Sequence, residues 1–214
     1  MKVELLDKMG SDASVANAAR VSFAKQIETI DPGKDGKLIS YLAKHKHWTP
    51  FGHCFASFRI KAPIFVARQL AKHQIGLCWN EVSRRYVDQT PEFYKPTKWR
   101  GRADNVKQGS SSDAAQLLLF TQFCLDNSIP EAIQLYNRLL DSGVCPEQAR
   151  MVLPQSMMTE WIWSGSLAAF ARVCKLRLDP HAQLETQEVA NHIAATMLHL
   201  FPISWKALMN EITD

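Results

Sequence analysis

At 214 residues, with 46% hydrophobic and 21% charged residues, the chain can bury a sizeable core and has an ordinary globular composition. Five cysteines, an odd number without a CxxC pair, point to free thiols in a reducing cytoplasm. The net charge of +4 is mild and its cations are dispersed, which favours small anionic ligands over a long polyanion, and the sequence has neither a membrane-length apolar run nor a signal-like start.

Residues 2–7 (KVELLD) alternate like a strand, and Ser11 to Ser14 offer N-cap chemistry for an Ala-rich helix ending near Val21. Residues 37–46 (KLISYLAKHK) place Leu38, Ile39, Leu42 and Ala43 on one helical face. Residues 53–60 (HCFASFRI) alternate as a half-buried strand with Phe and Ala facing one way. Pro63 suits a helix start, so IFVARQLAKHQ is read as one helix running to Gln74, with Ile64, Phe65 and Leu70 toward the core. Residues 80–86 (NEVSRRY) read as extended, and residues 88–113 as the longest loop. An amphipathic helix over 113–142, broken near Pro130, stops at Gly143. A short helix from Pro146 through Arg150, a strand or turn at 159–163, a helix at 167–176 and a last helix at 183–200 complete the chain. With no internal repeat and no linker, residues 1–214 read as a single α/β (α+β) domain, a small mostly antiparallel sheet packed against several helices.

The densest chemistry lies in residues 68–86, RQLAKHQIGLCWNEVSRRY. Charged and amide groups are costly to bury without partners, so this run reads as a surface holding a polar, anionic ligand. On the predicted helix Arg68 pairs with Lys72, and Gln69 with His73, at a spacing of four. In extended geometry Glu81, Ser83 and Arg85 share one side, a carboxylate, a hydroxyl and a guanidinium suited to a sugar hydroxyl, a phosphate and a base edge. Arg150 and Arg177 stand in otherwise apolar or proline-rich surroundings, either as structural ion pairs or as ligand contacts. His45, His47, His53 and Cys54 cluster, but without HExxH or paired CxxC spacing no metal site is expected. P-loop, GxGxxG and nucleophile-elbow patterns are missing too. Ser83 has no adjacent histidine to activate it and reads as a hydrogen-bonding group rather than a nucleophile.

Five segments in order, TPFGH at 49–53, KAPIFVARQ at 61–69, NEVSRRY at 80–86, SGVCPEQARMVLP at 142–154 and LRLDPHAQ at 176–183, resemble flavin-dependent thymidylate synthases, in a divergent or viral branch. The resemblance implies a homotetramer with active sites between subunits. It further implies reductive methylation of dUMP to dTMP, with methylenetetrahydrofolate as one-carbon donor, FAD as flavin and NADPH as reductant. Carried over by position, Gln69, Lys72, Glu81, Val82, Ser83, Arg84, Arg85, Arg150 and Arg177 correspond to dUMP contacts. Arg177 corresponds to the catalytic residue that polarises the pyrimidine. His47, Thr49, Lys72, His73, Gln74, Glu81, Ser166 and Arg172 correspond to FAD contacts.

This chain also departs from the family pattern. Lys72-His73-Gln74 stands where the family has RHR, and eight residues rather than seven precede Ser83, which predicts a bulge between Gly76 and Trp79. Gly52 replaces a carboxylate, and Ser166 and Ala168 replace an Asn and an Arg. The same fold performing another one-carbon modification at pyrimidine C5 is the second reading. A non-catalytic nucleic-acid module using residues 99–102 and Lys107 is the third.

Overall fold

The computed structural model describes residues 1–86, 90–104 and 109–210. Lys107 and part of the 88–113 stretch therefore lie outside the described residues. The architecture is mixed α/β. Strands β1 (Lys2–Met9), β2 (Phe55–Pro63), β3 (Leu77–Glu81) and β6 (Met158–Ser166) form one antiparallel sheet in the order β1-β2-β6-β3. Helices α1 (Asp12–Arg20), α2 (Lys34–Lys44), α3 (Ile64–Leu70), α6 (Leu167–Arg177), α7 (Leu184–Leu200) and α8 (Pro202–Met209) accompany it. A two-stranded sheet, β4 (Arg100–Arg102) with β5 (Ser110–Ala114), precedes the long α4 (Leu119–Asp141) and the short α5 (Pro146–Ala149).

The two central strands show why the sheet forms. In β2, Ala56, Phe58, Ile60 and Ala62 are buried, while Phe55, Ser57, Arg59 and Lys61 take the other face, the period-2 alternation of a sheet with one face on a core. Ala faces in as expected, but Phe55 lies on the opposite face from Phe58. On β6, Thr159, Trp161 and Trp163 point inward. Trp79 of β3 stacks on Trp161 at 4.4 Å and meets Trp163 edge-on at 5.5 Å; Trp163 continues to Phe170 at 5.4 Å and Phe170 to Phe58 at 5.2 Å. This aromatic chain joins β3, β6, β2 and α6 through the core. A buried carboxylate ties the chain ends together, as Asp12 accepts from the Ile203 and Ser204 amides at 3.0 and 2.8 Å and so caps α8.

Four boundaries differ from the sequence reading. Residues 49–53 form a 3₁₀ turn, so β2 starts at Phe55. Helix α3 ends at Leu70, and Lys72, His73 and Gln74 lie in the turn beyond it, so Arg68 and Lys72 do not share a helix edge. The 88–113 stretch contains β4 and β5, and α4 starts six residues later than predicted, at Leu119, because 110–114 pair with β4. Pro130 leaves α4 unbroken. It costs one helical bond on an exposed face, and the Asn127 and Ser128 side chains donate to the Phe123 and Leu125 carbonyls at 2.7 and 2.8 Å.

The expected bulge is not there. From Leu77 to Glu81, β3 pairs residue for residue with β6. The chain instead turns at Gly76, φ 74°, a left-handed conformation that suits glycine. Gly165 faces that turn across the sheet; a Cβ there would stand 2.3 Å from Leu77 Cδ2 and 2.8 Å from the Gly76 carbonyl. Only glycine allows the approach, and the approach holds the 71–76 turn against the start of α6.

Near this sheet, Arg100 of β4 makes a two-pronged ion pair with the buried Glu185 of α7, at 2.9 and 3.0 Å. Burial opposes ionisation of Glu185, but the Arg100 bonds and charge, together with a backbone N–H and Gln183, outweigh it and hold the carboxyl below its ordinary value. Because the folded pKa lies below the unfolded one, this stabilisation is complete above about pH 4.3 and disappears as pH falls through the folded pKa. Glu185→Gln is therefore expected to lower stability at neutral pH by about 2 kcal/mol and by much less once the pH has fallen below the folded pKa, a difference readable by urea melts at neutral and at strongly acidic pH.

Candidate active site

The residues singled out in the sequence gather in three places. The first lies where α3 ends against α6 and α7. Arg177, half-buried at the end of α6, donates Nε to His73 Nε2 at 3.0 Å and Nη2 to the Gln69 carbonyl at 3.0 Å. Gln69 is itself fixed, since its Nε2 donates to Gln183 and its Oε1 accepts from Thr186 Oγ1 at 3.1 Å. Burial, then the Arg177 and Arg172 charges, push His73 below the ordinary histidine value. A neutral imidazole can accept at Nε2, which places its proton on Nδ1. Two of the five guanidinium donors thus hold Arg177 in place, and the residue is built to be oriented rather than to roam.

The second place is a concavity of about 500 Å³ beside the edge strand β3, lined by Glu81, Val82, Arg84, Arg150, Met151 and Lys61 among others. Glu81 is positioned by Thr159, whose Oγ1 donates at 2.7 Å, and by the Trp79 indole, whose Nε1 donates at 3.2 Å. Beyond Glu81 the chain leaves the sheet after a last bond from the Val82 amide to the Glu160 carbonyl at 2.9 Å. The expected extended run 80–86 therefore ends at Glu81, and Glu81, Ser83 and Arg85 do not line one strand face. Arg85 folds back instead, donating Nε to Ser83 Oγ at 3.1 Å, lying 5.0 Å from the Tyr86 ring and 3.9 Å from Glu147. Arg150 donates Nε to the Glu147 carbonyl at 3.3 Å, which sets its guanidinium at the concavity wall.

The third place is a narrow apolar cleft of about 320 Å³ between the end of α2 and α6. Leu42, Ala43, Phe51, Ala168 and Ala171 wall it, with exposed His47, Trp48 and Arg172 at its edge. Ala168 and Ala171 leave it open because neither carries a side chain beyond Cβ. Arg172 Nη2 donates to the Ile75 carbonyl at 2.7 Å, tying the cleft to the 71–76 turn. Ser166, buried at the start of α6, accepts from the Ala169 amide at 3.2 Å as N-cap and keeps its hydroxyl hydrogen for another partner. The Trp48 ring lies over Gly52, 3.6 Å from where a Cβ would be, and so fills the space that a side chain at 52 would occupy.

One chain thus brings Gln69, His73 and Arg177 together, then Glu81, Val82, Arg84 and Arg150, then His47, Ser166 and Arg172 around the cleft and its turn. It does not bring the first two groups into one pocket, for the concavity beside β3 has none of Gln69, Lys72 or Arg177 in its wall. Lys72, Gln74 and Thr49 are exposed close to these groups, in the 71–76 turn and the 3₁₀ turn. Sequence reasoning missed Thr159, Thr186, Trp79 as a hydrogen-bond donor, and the Arg100–Glu185 pair. Each acts across 78 residues or more, except Trp79, and no local pattern announces them. Among the described residues no three His, Cys, Asp or Glu side chains gather into a metal-holding set. Cys54 and Cys174 are buried, and burial pushes their thiols up to about 11 and about 12, which leaves them unreactive.

Residues 4–203 match the family described as thymidylate synthase complementing protein, Thy1. The chain belongs to this family. It is 40% identical over 208 residues to the flavin-dependent thymidylate synthase of Thermosipho africanus, covering 97% of this chain and 90% of that protein. It is 38% identical over 217 residues to the enzyme of the same name from Thermus thermophilus, covering 99% and 77%. Among solved structures, the UMP/dUMP methylase PolB from Streptomyces cacaoi, bound with 5-Br dUMP, superposes with a TM-score of 0.86 at 31% identity, covering 98% of this chain and 94% of that one. A family member of this kind explains why so many polar side chains are spent on the ends of α3, β3 and α6.

Proposed function

We propose that this chain, a single domain over residues 1–214, catalyses the reductive methylation of dUMP to dTMP, with FAD as flavin, methylenetetrahydrofolate as one-carbon donor and NADPH as reductant. The observation that carries the reading is the guanidinium of Arg177, fixed by His73 and the Gln69 carbonyl at the end of a polar cluster. Set at the edge of a uracil ring, it stabilises negative charge developing there as C5 becomes nucleophilic, and being pre-oriented it needs no reorganisation to do so. Glu81, held by Thr159 and Trp79, supplies a fixed acceptor for a ribose hydroxyl, and Arg84 and Arg150 supply charge for the phosphate. Ser83 accepts from Arg85 and is a positioning group, not a nucleophile.

The residues around the cleft fit a flavin. A flat, largely apolar ring system suits walls of Leu42, Phe51, Ala168 and Ala171, and the Arg172 guanidinium at the rim suits its carbonyl-bearing end. His47, Thr49, Lys72, His73, Gln74, Glu81, Ser166 and Arg172 would hold FAD, and when bound it supplies hydride to the methylene carbon.

The two groups of dUMP residues meet across a subunit boundary in this reading, in a homotetramer. Support comes from their separation within one chain and from the exposed Leu118, Leu119, Phe120 and Phe123 at the start of α4, a patch that water alone would cover at a cost. The nucleic-acid reading loses its main cation, since Arg100 is committed to Glu185. Among the described residues no helix is long and apolar enough to cross a membrane, which agrees with a cytoplasmic enzyme.

The test is incubation of the purified protein with dUMP, methylenetetrahydrofolate, FAD and NADPH. Formation of dTMP with tetrahydrofolate is expected; no flavin uptake in the presence of dUMP, or dihydrofolate as the folate product, sinks the reading. The mass of the nucleotide product separates it from the second reading, and UMP offered in competition tests the preference for the deoxyribose sugar, because a UMP/dUMP methylase is among the structural relatives.

A further inference from the structure

A concentration of like charge adjoins the third of these places. A groove of about 1300 Å³ between α2 and α8 is lined by Lys37, Lys44, Lys46, Lys175 and Lys206, with no Asp, Glu or Arg among the described residues of its wall. On α2, Lys37, Tyr41 and Lys44 recur at the four-then-three spacing that puts them on one helix face. Lys46 follows the helix with φ 57°, in the left-handed position where glycine or asparagine is the usual choice, so a lysine is held there against backbone preference. Lys46 and Lys175 also line the apolar cleft that carries His47, Trp48 and Arg172, and the groove therefore opens directly from the cleft.

We propose that this groove is a subsite for a chain of carboxylates, the oligo-γ-glutamyl tail of the folate substrate. The proposal rests on the reaction proposed above and adds the place where the distal part of that substrate lies. A folate is a flat heteroaromatic head joined through an aminobenzoyl group to one or more glutamates. With the flavin in the cleft and the folate head at its mouth, beside Lys46 and Lys175, the tail runs on into the groove. The residue type favours a polycarboxylate over a dinucleotide phosphate: phosphate sites favour the planar arginine fork, whereas a row of separated single charges is met by separated ammonium groups on flexible stems. Such contacts are individually weak in water and act by number, so the gain grows with tail length and shrinks with salt.

The experiment compares the wild-type protein with the triple variant Lys37→Gln, Lys44→Gln, Lys206→Gln, three exposed lysines that touch neither the nucleotide nor the flavin groups. Dissociation constants for monoglutamyl and pentaglutamyl tetrahydrofolate are measured directly, alongside KM for methylenetetrahydrofolate of both lengths and for NADPH. In the wild type the pentaglutamyl form is expected to bind about tenfold tighter at low salt; in the variant the two forms come within about twofold, with kcat and the monoglutamyl constants unchanged. Equal binding of the two forms by the wild type, a preference that survives in the variant, or a variant defect in KM for NADPH instead overturns the subsite. If the length preference and its loss appear but no dTMP forms, the subsite stands and the methylation reading falls. If dTMP forms with no length preference, the reverse holds, and if neither folate binds, both fall.

Discussion

Replacing Arg177 by alanine is expected to lower kcat by about 10² to 10³ while flavin binding persists, the size of loss seen when one pre-oriented charge-stabilising donor is removed. The cause is local. Arg177 is the cation fixed by both the Gln69 carbonyl and the His73 ring at the end of α6, so the polar cluster is arranged around it. His73 stays neutral because burial and the Arg177 and Arg172 charges disfavour the imidazolium, and only the neutral ring can accept from Arg177. Alanine leaves the His73 and Gln69 acceptors without this donor, so a modest loss of thermal stability of about 1 to 2 kcal/mol accompanies the kinetic effect. Arg177→Lys separates the two effects. It keeps the charge but cannot hold Gln69 and His73 with one planar fork, and is expected to recover stability more than turnover. Turnover, the flavin absorbance spectrum and dUMP affinity are the readouts. Wild-type kcat in Arg177→Ala, or loss of flavin, would remove the proposed role.

The sequence carried much of this because the signals are local. The alternation in residues 55–63 marks a strand with one buried face, and the periodicity of residues 34–44, 167–177 and 184–200 marks helices, since a 2.0 or 3.6 residue repeat is written within a few turns of chain. The end of α3 is not legible in the sequence because Ala71-Lys72-His73-Gln74 has ordinary helix propensity; contact with α6, through the Arg172 bond to Ile75 and the close approach at Gly165, decides where the chain turns. Strand β3 is only partly legible for a similar reason. Leu77-Cys78-Trp79 follows a glycine and lacks alternation, and it becomes a strand because the Trp79 ring finds Trp161 and Trp163 on β6. Of the site, the residue types were legible and their grouping was not. Nothing in the spacing of residues 69, 81, 150 and 177 says that Arg177 joins Gln69 while Arg150 joins Glu81, because those pairings are made by sheet order and helix packing.

That grouping yields the prediction with the largest change of sign. Arg177→Ala and Arg150→Ala are each expected to be nearly inactive as pure proteins, and a co-refolded equal mixture of the two is expected to regain about a quarter of wild-type activity. The reason is geometric. Within one chain the concavity bearing Glu81, Arg84 and Arg150 does not include Gln69, Lys72 or Arg177 in its wall, although the proposed function has all of these contact one nucleotide. If a site takes Arg177 from one subunit and Arg150 from another, each intact contribution has an even chance in a random mixture, and the product of the two is a quarter. Sites built within one subunit give a different result, because every site then carries one defect whatever its neighbours are, and the mixture stays as inactive as its parts. Recovery also requires the copies to stay together, which singles out the apolar start of α4: Leu119→Glu with Phe123→Glu, placing charges where the exposed patch lies, should shift the protein to smaller species in sedimentation and abolish both activity and complementation. A charged α4 variant that remains fully assembled and active would locate the subunit contact elsewhere, whereas recovery in the mixed sample would still establish that the nucleotide is gripped by two chains.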